Sequence, residues 1–279
     1  MKYAICNELF GDGVDEALPA IAAAGYEGIE LAPVTVGKAP EELGPRERRN
    51  LKQRAADLGL VFTGMHWLLA GVNELHISSP DQSVRARTLA RLNSLSGLCA
   101  DLGGTYLVFG SPAQRSTPTG TTKRDARGRA LELFHAWGEQ AQDDGTVVCL
   151  ESLPETETDF LNTTADVIAA VSDIALPSVQ MVLDVKSMSA EPVPIPELIA
   201  SAADHLAYVQ ANDANRRGPG FGDTDFVPIF RALRQVGYDG FVSVEPFEAP
   251  TGIEGEAAYS LRYLRASAQQ AKEQPKEKH

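Results

Sequence analysis

The chain is short of several residue types, and each shortage closes off a class of chemistry. Its 279 residues hold three cysteines, Cys6, Cys99 and Cys149, none in a CxxC or CxH spacing. That excludes a disulfide framework or a thiolate zinc site and leaves the thiols as small buried residues of two predicted strands and a helix. Five histidines, four of them in a loop, mid-helix, before a strand and at the C-terminus (His76, His135, His205 and His279), are too few and too scattered for a histidine-rich polynuclear metal site. Basic residues are outnumbered, and a net charge of −13 opposes contact with a phosphate backbone, so nucleic acid is excluded as a partner. The start, MKYAICNELFGDG, has one basic residue and only a short apolar run. It reads as neither a signal peptide nor a membrane span, which points to a cytoplasmic protein without a membrane partner.

What is present is a regular alternation. Apolar content of 43% and charged content of 23% are those of a globular protein with a sizeable core. KYAIC, EGIEL, LVFTGM, TYLVFG, TVVCLE, VQMVLD, HLAYVQAN and GFVSVE read as strands, and helical spacing fills the segments between them. Those helices include Arg46 to Leu58, Gln82 to Leu102, Thr122 to Gln142 and, closing the chain, Glu254 to Gln270. Continuously apolar strands that each lead into a helix imply a parallel sheet covered on both faces. About eight such units predict an α/β fold, a closed (β/α)8 or TIM barrel, as a single domain over 1–271, with a polar tail over 272–279. A doubly wound open sheet would need a glycine-rich turn after the first strand, and NELFGDGVDE offers only GDG.

Active sites of such barrels lie at the C-terminal ends of the strands, so residues at strand ends are the candidates: Glu8, Glu30, His66, Ser111, Glu151, Asp184, Gln210 and Glu245. Glu151, Asp184 and Glu245 end strands five, six and eight, and Gln210 lies at the end of strand seven. Anions gathered that closely repel unless a cation or a proton neutralises them. Three carboxylates and an amide oxygen form an all-oxygen set suited to one divalent cation, Mn²⁺ or Mg²⁺, with Co²⁺ as a further candidate.

The segments LESLPETETDFLNT, MVLDVKSM and VQANDANRRGPGFGDTDFVPIFRALRQVGYDGFVSVE, with GYEGIEL, resemble the xylose isomerase-like TIM barrels, the sugar phosphate isomerases and epimerases that include ketose 3-epimerases. The resemblance covers nearly the whole chain. It implies a metal set of Glu151, Asp184, Gln210 and Glu245, with Gln210 standing where those epimerases carry histidine. It also implies substrate contacts from Glu157 and Arg216, and it puts Ser187, beside Lys186, where a family histidine falls. A small-molecule sugar is the implied partner, and a homo-oligomer is compatible with the family.

The implied activity is that of a metal-dependent sugar isomerase or epimerase acting on a keto sugar through an enediolate, with Glu151 and Glu245 exchanging protons on opposite faces of one carbon. Two other functions stay open: a lyase that eliminates the β-substituent of a 3-keto glycoside, using His66 and Lys186, and a non-catalytic sugar-binding barrel. His66 is expected at the rim beside Trp67, whose ring offers an apolar face to a sugar. Glu8 and Glu30 are expected to bind substrate hydroxyls, and Arg115 to meet substrate or bridge to the acidic rim. The glycine-rich RRGPGFGDTD is either a lid or a structural turn.

Overall fold

The computed structural model describes residues 1–11 and 13–273. Eight parallel strands close into a barrel in sequence order: β1 (Lys2–Cys6), β2 (Gly28–Leu31), β3 (Val61–Met65), β4 (Tyr106–Phe109), β5 (Val147–Leu150), β6 (Val179–Asp184), β7 (Leu206–Ala211) and β8 (Phe241–Val244). The expected barrel is therefore the observed one. Closure comes from β1 on β8, with Ile5 opposite Val244. A closed sheet leaves no unpaired edge, which is why strands of four to six residues suffice.

The outer helices are α1 (Val14–Ala24), α2 (Pro45–Asp57), α3 (Gln82–Leu102), α4 (Lys123–Asp144), α5 (Thr164–Ile174), α6 (Val185–Ser189), α7 (Ile195–Ser201), α8 (Phe226–Gln235) and α9 (Ile253–Glu273). Local chemistry sets their ends. Asp81, Thr122, Thr163 and Asp225 accept a backbone N–H at the start of α3, α4, α5 and α8. Gly25, Gly103 and Gly145 stop α1, α3 and α4 in the left-handed conformation. The sequence pattern did not anticipate α6, a single turn that starts directly on Asp184. The closing helix runs through Glu273, and the rest of the expected polar tail, 274–279, lies outside the described residues.

Two cores result. The larger packs the helices on the outside of the sheet and includes Trp137, Phe109 and Phe134, all fully buried. Each such side chain contributes about 1.5–3 kcal/mol by leaving water. The smaller fills the barrel interior with Val108, Cys149, Val182 and Tyr208, the last stacked on Tyr106 at 4.6 Å. Above it the interior turns polar: Thr63 meets the Tyr208 hydroxyl at 2.8 Å, and Cys6 and Glu30 lie higher still. That polarity gradient points the chemistry at the C-terminal mouth. Cys6, Cys99 and Cys149 are free and buried, as small apolar residues would be.

Candidate active site

Glu151 follows β5 directly and Glu245 follows β8, so their carboxylates reach the cavity from strands three places apart around the mouth. The cavity measures about 410 Å³. Glu151 has no hydrogen-bond partner for its carboxylate among the described residues, and a Cβ at Gly110 would collide with its Oε2, so glycine there makes room for it. Burial pushes the Glu151 carboxyl well above the usual carboxylate range, and the negative charges of Asp184 and Glu245 add to the shift. Glu245 is pushed up to about 8, again mainly by burial.

Asp184 ends β6 and caps α6: its Oδ1 accepts the Ser187 N–H at 2.7 Å, and its Oδ2 accepts the Asn212 amide at 2.6 Å. Burial also raises its carboxyl. Asn212 was missed in the sequence. Its Nδ2 lies 3.4 Å from Glu245 Oε2 as well, and its Oδ1 accepts the Lys186 N–H at 2.7 Å, so one amide joins strands six and eight to the α6 turn. An asparagine two places past a candidate ligand was the available signal, and only the fold shows what it reaches.

Gln210 lies opposite Asp184 in the β6–β7 ladder. Its Nε2 donates to Glu30 Oε1 at 3.1 Å, and its Oε1 is buried without a hydrogen-bond partner. A buried orphan carbonyl oxygen is costly unless something accepts it as a ligand. Asp184 and Glu245 already accept hydrogen bonds from Ser187, Asn212 and His66, and among the described residues Glu151, Asp184 and Glu245 do not bring ligand atoms within 4.8 Å of one another; their donors are all oxygen, the type a hard divalent cation takes. A second set lies below: Cys6, Glu30 and His66 bring potential ligand atoms within 4.8 Å of one another. Burial and the nearby carboxylates push the Cys6 thiol well up, and its S–H faces Glu30 at 3.4 Å. Metal binding there would require the thiol to ionise and His66 to release a carboxylate.

Several expected roles need correction. His66 lies at the rim beside Trp67, but both ring nitrogens are engaged, Nδ1 with Glu245 at 3.1 Å and Nε2 with Glu8 at 2.9 Å. Burial pulls its pKa down, but the two carboxylates outweigh it and hold it well above the usual imidazole value. His66 thus bridges Glu245 and Glu8 through its two ring nitrogens. Glu8 turns its Oε2 to His66 and away from the cavity. Glu30 is fully buried inside the barrel and is not among the residues lining the cavity. Arg115, 1% exposed, donates to the carbonyls of Gly110, Glu151, Phe160 and Leu161 at 2.8–3.3 Å. It is a buried clamp on the loop after β5, with its pKa lowered by burial to about 10.

Glu157, Lys186 and Arg216 do line the cavity. Lys186 pairs with Glu157 at 2.6 Å. Its Nζ and the Arg216 guanidinium flank the Phe247 ring at 5.1 and 4.6 Å. The glycine-rich stretch is tied together by Asp213. Asp213 accepts from Gly222 N–H at 2.9 Å and the Thr224 hydroxyl at 2.7 Å, and any side chain at Gly222 would strike the Asp213 carboxylate. Among the described residues, no helix is long and apolar enough to cross a membrane.

Known proteins share this architecture. An L-ribulose 3-epimerase of Mesorhizobium japonicum is 32% identical over 203 residues, covering 71% of this chain and 66% of that protein. A D-psicose 3-epimerase of Agrobacterium fabrum is 29% identical, covering 90% of this chain and 86% of that protein. The crystal structure of a D-psicose 3-epimerase from Clostridium cellulolyticum superimposes with a TM-score of 0.85 at 22% identity, over 96% of this chain and 99% of that one, which establishes a common fold. The xylose isomerase-like TIM barrel model matches residues 18–267, from inside α1 to inside α9, and on that match the chain belongs to the xylose isomerase-like TIM barrel family.

Proposed function

We propose that the protein is a sugar epimerase of the ketose 3-epimerase type that inverts a carbon beside a ketone. The observation that carries this is the pair Glu151 and Glu245: two buried carboxyls with raised pKa values, facing one cavity from separate strands. A carboxylate at the cavity wall can take a proton from carbon and, once protonated, return one, which is what general acid–base work needs. Inversion requires a donor and an acceptor on opposite faces of the carbon, and strands five and eight supply one each. The names of the relatives, epimerases of keto sugars, support the same class.

Each surrounding residue has a part in this proposal. Glu151 and Glu245 exchange the proton of the substrate carbon. His66 fixes the Glu245 carboxylate through its Nδ1, and Glu8 fixes His66 in turn. Glu157, Lys186 and Arg216 hold substrate hydroxyls. Glu151, Asp184, Glu245 and the Gln210 carbonyl oxygen would hold a divalent cation, Mn²⁺ or Mg²⁺, which when bound polarises the ketone and stabilises charge on the enediolate.

The lyase alternative loses one of its acids, since both His66 nitrogens are committed to carboxylates. A non-catalytic barrel would have no reason to keep three carboxyls buried at energetic cost.

Proton exchange tests the proposal. The Mn²⁺-loaded protein is incubated in D₂O with D-fructose, D-psicose or a 3-keto-glucoside and followed by NMR. Deuterium entering the carbon beside the ketone, lost in Glu245→Gln, is the expected result. A change of configuration at that carbon marks an epimerase and loss of the neighbouring substituent a lyase, while no exchange with any keto sugar refutes both.

A further inference from the structure

The cavity is built in two unlike halves. The loops after β5 to β8 contribute its charges: Glu151, Glu157, Lys186, Arg216 and Glu245. The loops after β3 and β4 contribute, apart from His66, only neutral residues, among them Trp67, Asn73, Ser111 and Pro112. Proton transfer is confined to the charged half. The neutral half is therefore unused by the chemistry proposed above, and at about 410 Å³ the whole cavity falls within the range of clefts that hold drug-sized ligands.

Two features mark the neutral half as a binding surface. Trp67 is 38% exposed at the mouth, whereas the other tryptophan, Trp137, is completely buried. Packing therefore does not account for the Trp67 indole, which also sits on a left-handed backbone at φ 51. Ser111 is left-handed too, at φ 40, and its hydroxyl is buried without a partner. Strained backbone of this kind persists where it aims a side chain at a function. An indole exposed at the mouth, on the neutral wall of the cavity, suits a second ring with apolar faces. The Trp67 and His66 rings lie 5.7 Å apart, so a ring on Trp67 stays within one substrate's length of Glu245.

We propose that the substrate is a keto sugar still carrying a ring substituent, either an aryl group or a second sugar, and that Trp67 is the specificity-determining platform for that second ring. The proposal rests on the epimerase reading of the same cavity and narrows its substrate to glycosides. The neighbouring hollow beyond the Glu157–Lys186 pair, of about 600 Å³, contains no aromatic ring and adds the acids Glu155 and Glu191. The second ring is therefore placed on the Trp67 side.

Calorimetric titration of the Mn²⁺-loaded full chain with methyl and with phenyl 3-keto-β-D-glucoside tests this. The wild type is expected to bind the phenyl glycoside at least tenfold more tightly, with quenching of Trp67 fluorescence. Trp67→Ala erases that preference, and Trp67→Phe, which keeps a ring, retains most of it. Because residue 67 is exposed, both variants are expected to melt within a few degrees of wild type. Equal affinity for the two glycosides in the wild type, or an undiminished preference in Trp67→Ala, overturns the platform and leaves the epimerase reading standing. Failure of these glycosides, D-psicose and D-fructose to bind or exchange overturns both.

Discussion

His66 Nδ1 lies 3.1 Å from Glu245 Oε1, and the pair is almost wholly buried in the cavity wall, His66 1% and Glu245 4% exposed. The other nitrogen of the same ring holds Glu8, so one imidazole ring is shared by two carboxylates from the ends of the adjacent strands β1 and β8. His66→Gln keeps a donor but removes the charge. The Glu245 carboxyl, which His66 pulls down against the effect of burial, then rises further. We expect turnover to fall by about 10²-fold with little change in KM, and the alkaline limb of the pH–rate profile to move upward. An unmoved profile would mean that His66 is only packing.

Stability of the metal-free protein should fall as pH rises. Glu245 titrates near 4.5 unfolded and about 8 folded, so folding takes up a proton between those values. Its contribution is fully present below about 4.5 and is lost as pH climbs through about 8. Glu151 and His66, also raised, act with the same sign. Calorimetry in EDTA should show Tm dropping between pH 6 and 9 by the equivalent of roughly a few kcal/mol. Mn²⁺ should flatten that slope, because a bound cation replaces the protons. A Tm that rises over the same window contradicts the assignment.

Gly110→Ala is predicted to cripple activity with little loss of stability. The added Cβ would overlap Glu151 Oε2, so the carboxylate must move. A displacement of about 1 Å at a reacting group costs on the order of 10²-fold in rate. Steady-state kinetics beside a melting curve separates the two effects, and wild-type turnover would show that Glu151 does not act from this position.

Arg115→Met should do the reverse. The carbonyls of Gly110, Glu151 and Phe160 lose their side-chain donor, while that of Leu161 keeps the Leu153 N–H. At about 1–3 kcal/mol for each buried acceptor left unpaired, urea midpoints should fall by the equivalent of about 3 kcal/mol or more. A stable Arg115→Met protein with impaired substrate binding would restore the substrate role expected from sequence.

Gln210→His tests the cation directly. Replacing a hard amide oxygen by imidazole nitrogen should strengthen binding of Co²⁺ and Zn²⁺ relative to Mg²⁺, by about tenfold or more. Competition dialysis with metal analysis reads the ratio without recourse to activity. Unchanged ratios would place the Gln210 oxygen outside the coordination set.

The barrel was legible because it is written locally. Apolar strands and helical spacing recur eight times, with glycine stops after several of the helices, and each is a short-range signal. Glu151, Asp184 and Glu245 were legible because each interrupts an apolar run where a strand ends. Glu30 was misplaced by the same rule: β2 continues through Leu31, so its carboxylate lies within the strand, buried inside the barrel, rather than at the strand's end. Arg115 was misjudged because its partners are main-chain carbonyls up to 46 residues away, and carbonyls carry no sequence signature. Asn212 escaped for a related reason, since its value lies in touching Asp184 and Glu245 at once.

By itself, then, the sequence determined the closed eightfold barrel, the mouth that carries chemistry and the acidic, oxygen-rich character of that mouth, because periodicity and charge are properties of neighbours in the chain. Tertiary structure decided which acids face the cavity, which two His66 holds, and that the cavity has a neutral half with Trp67 at its edge. Those outcomes depend on which side chains from different strands come within a few ångströms of each other, and strand register and loop packing set that only once the barrel has closed.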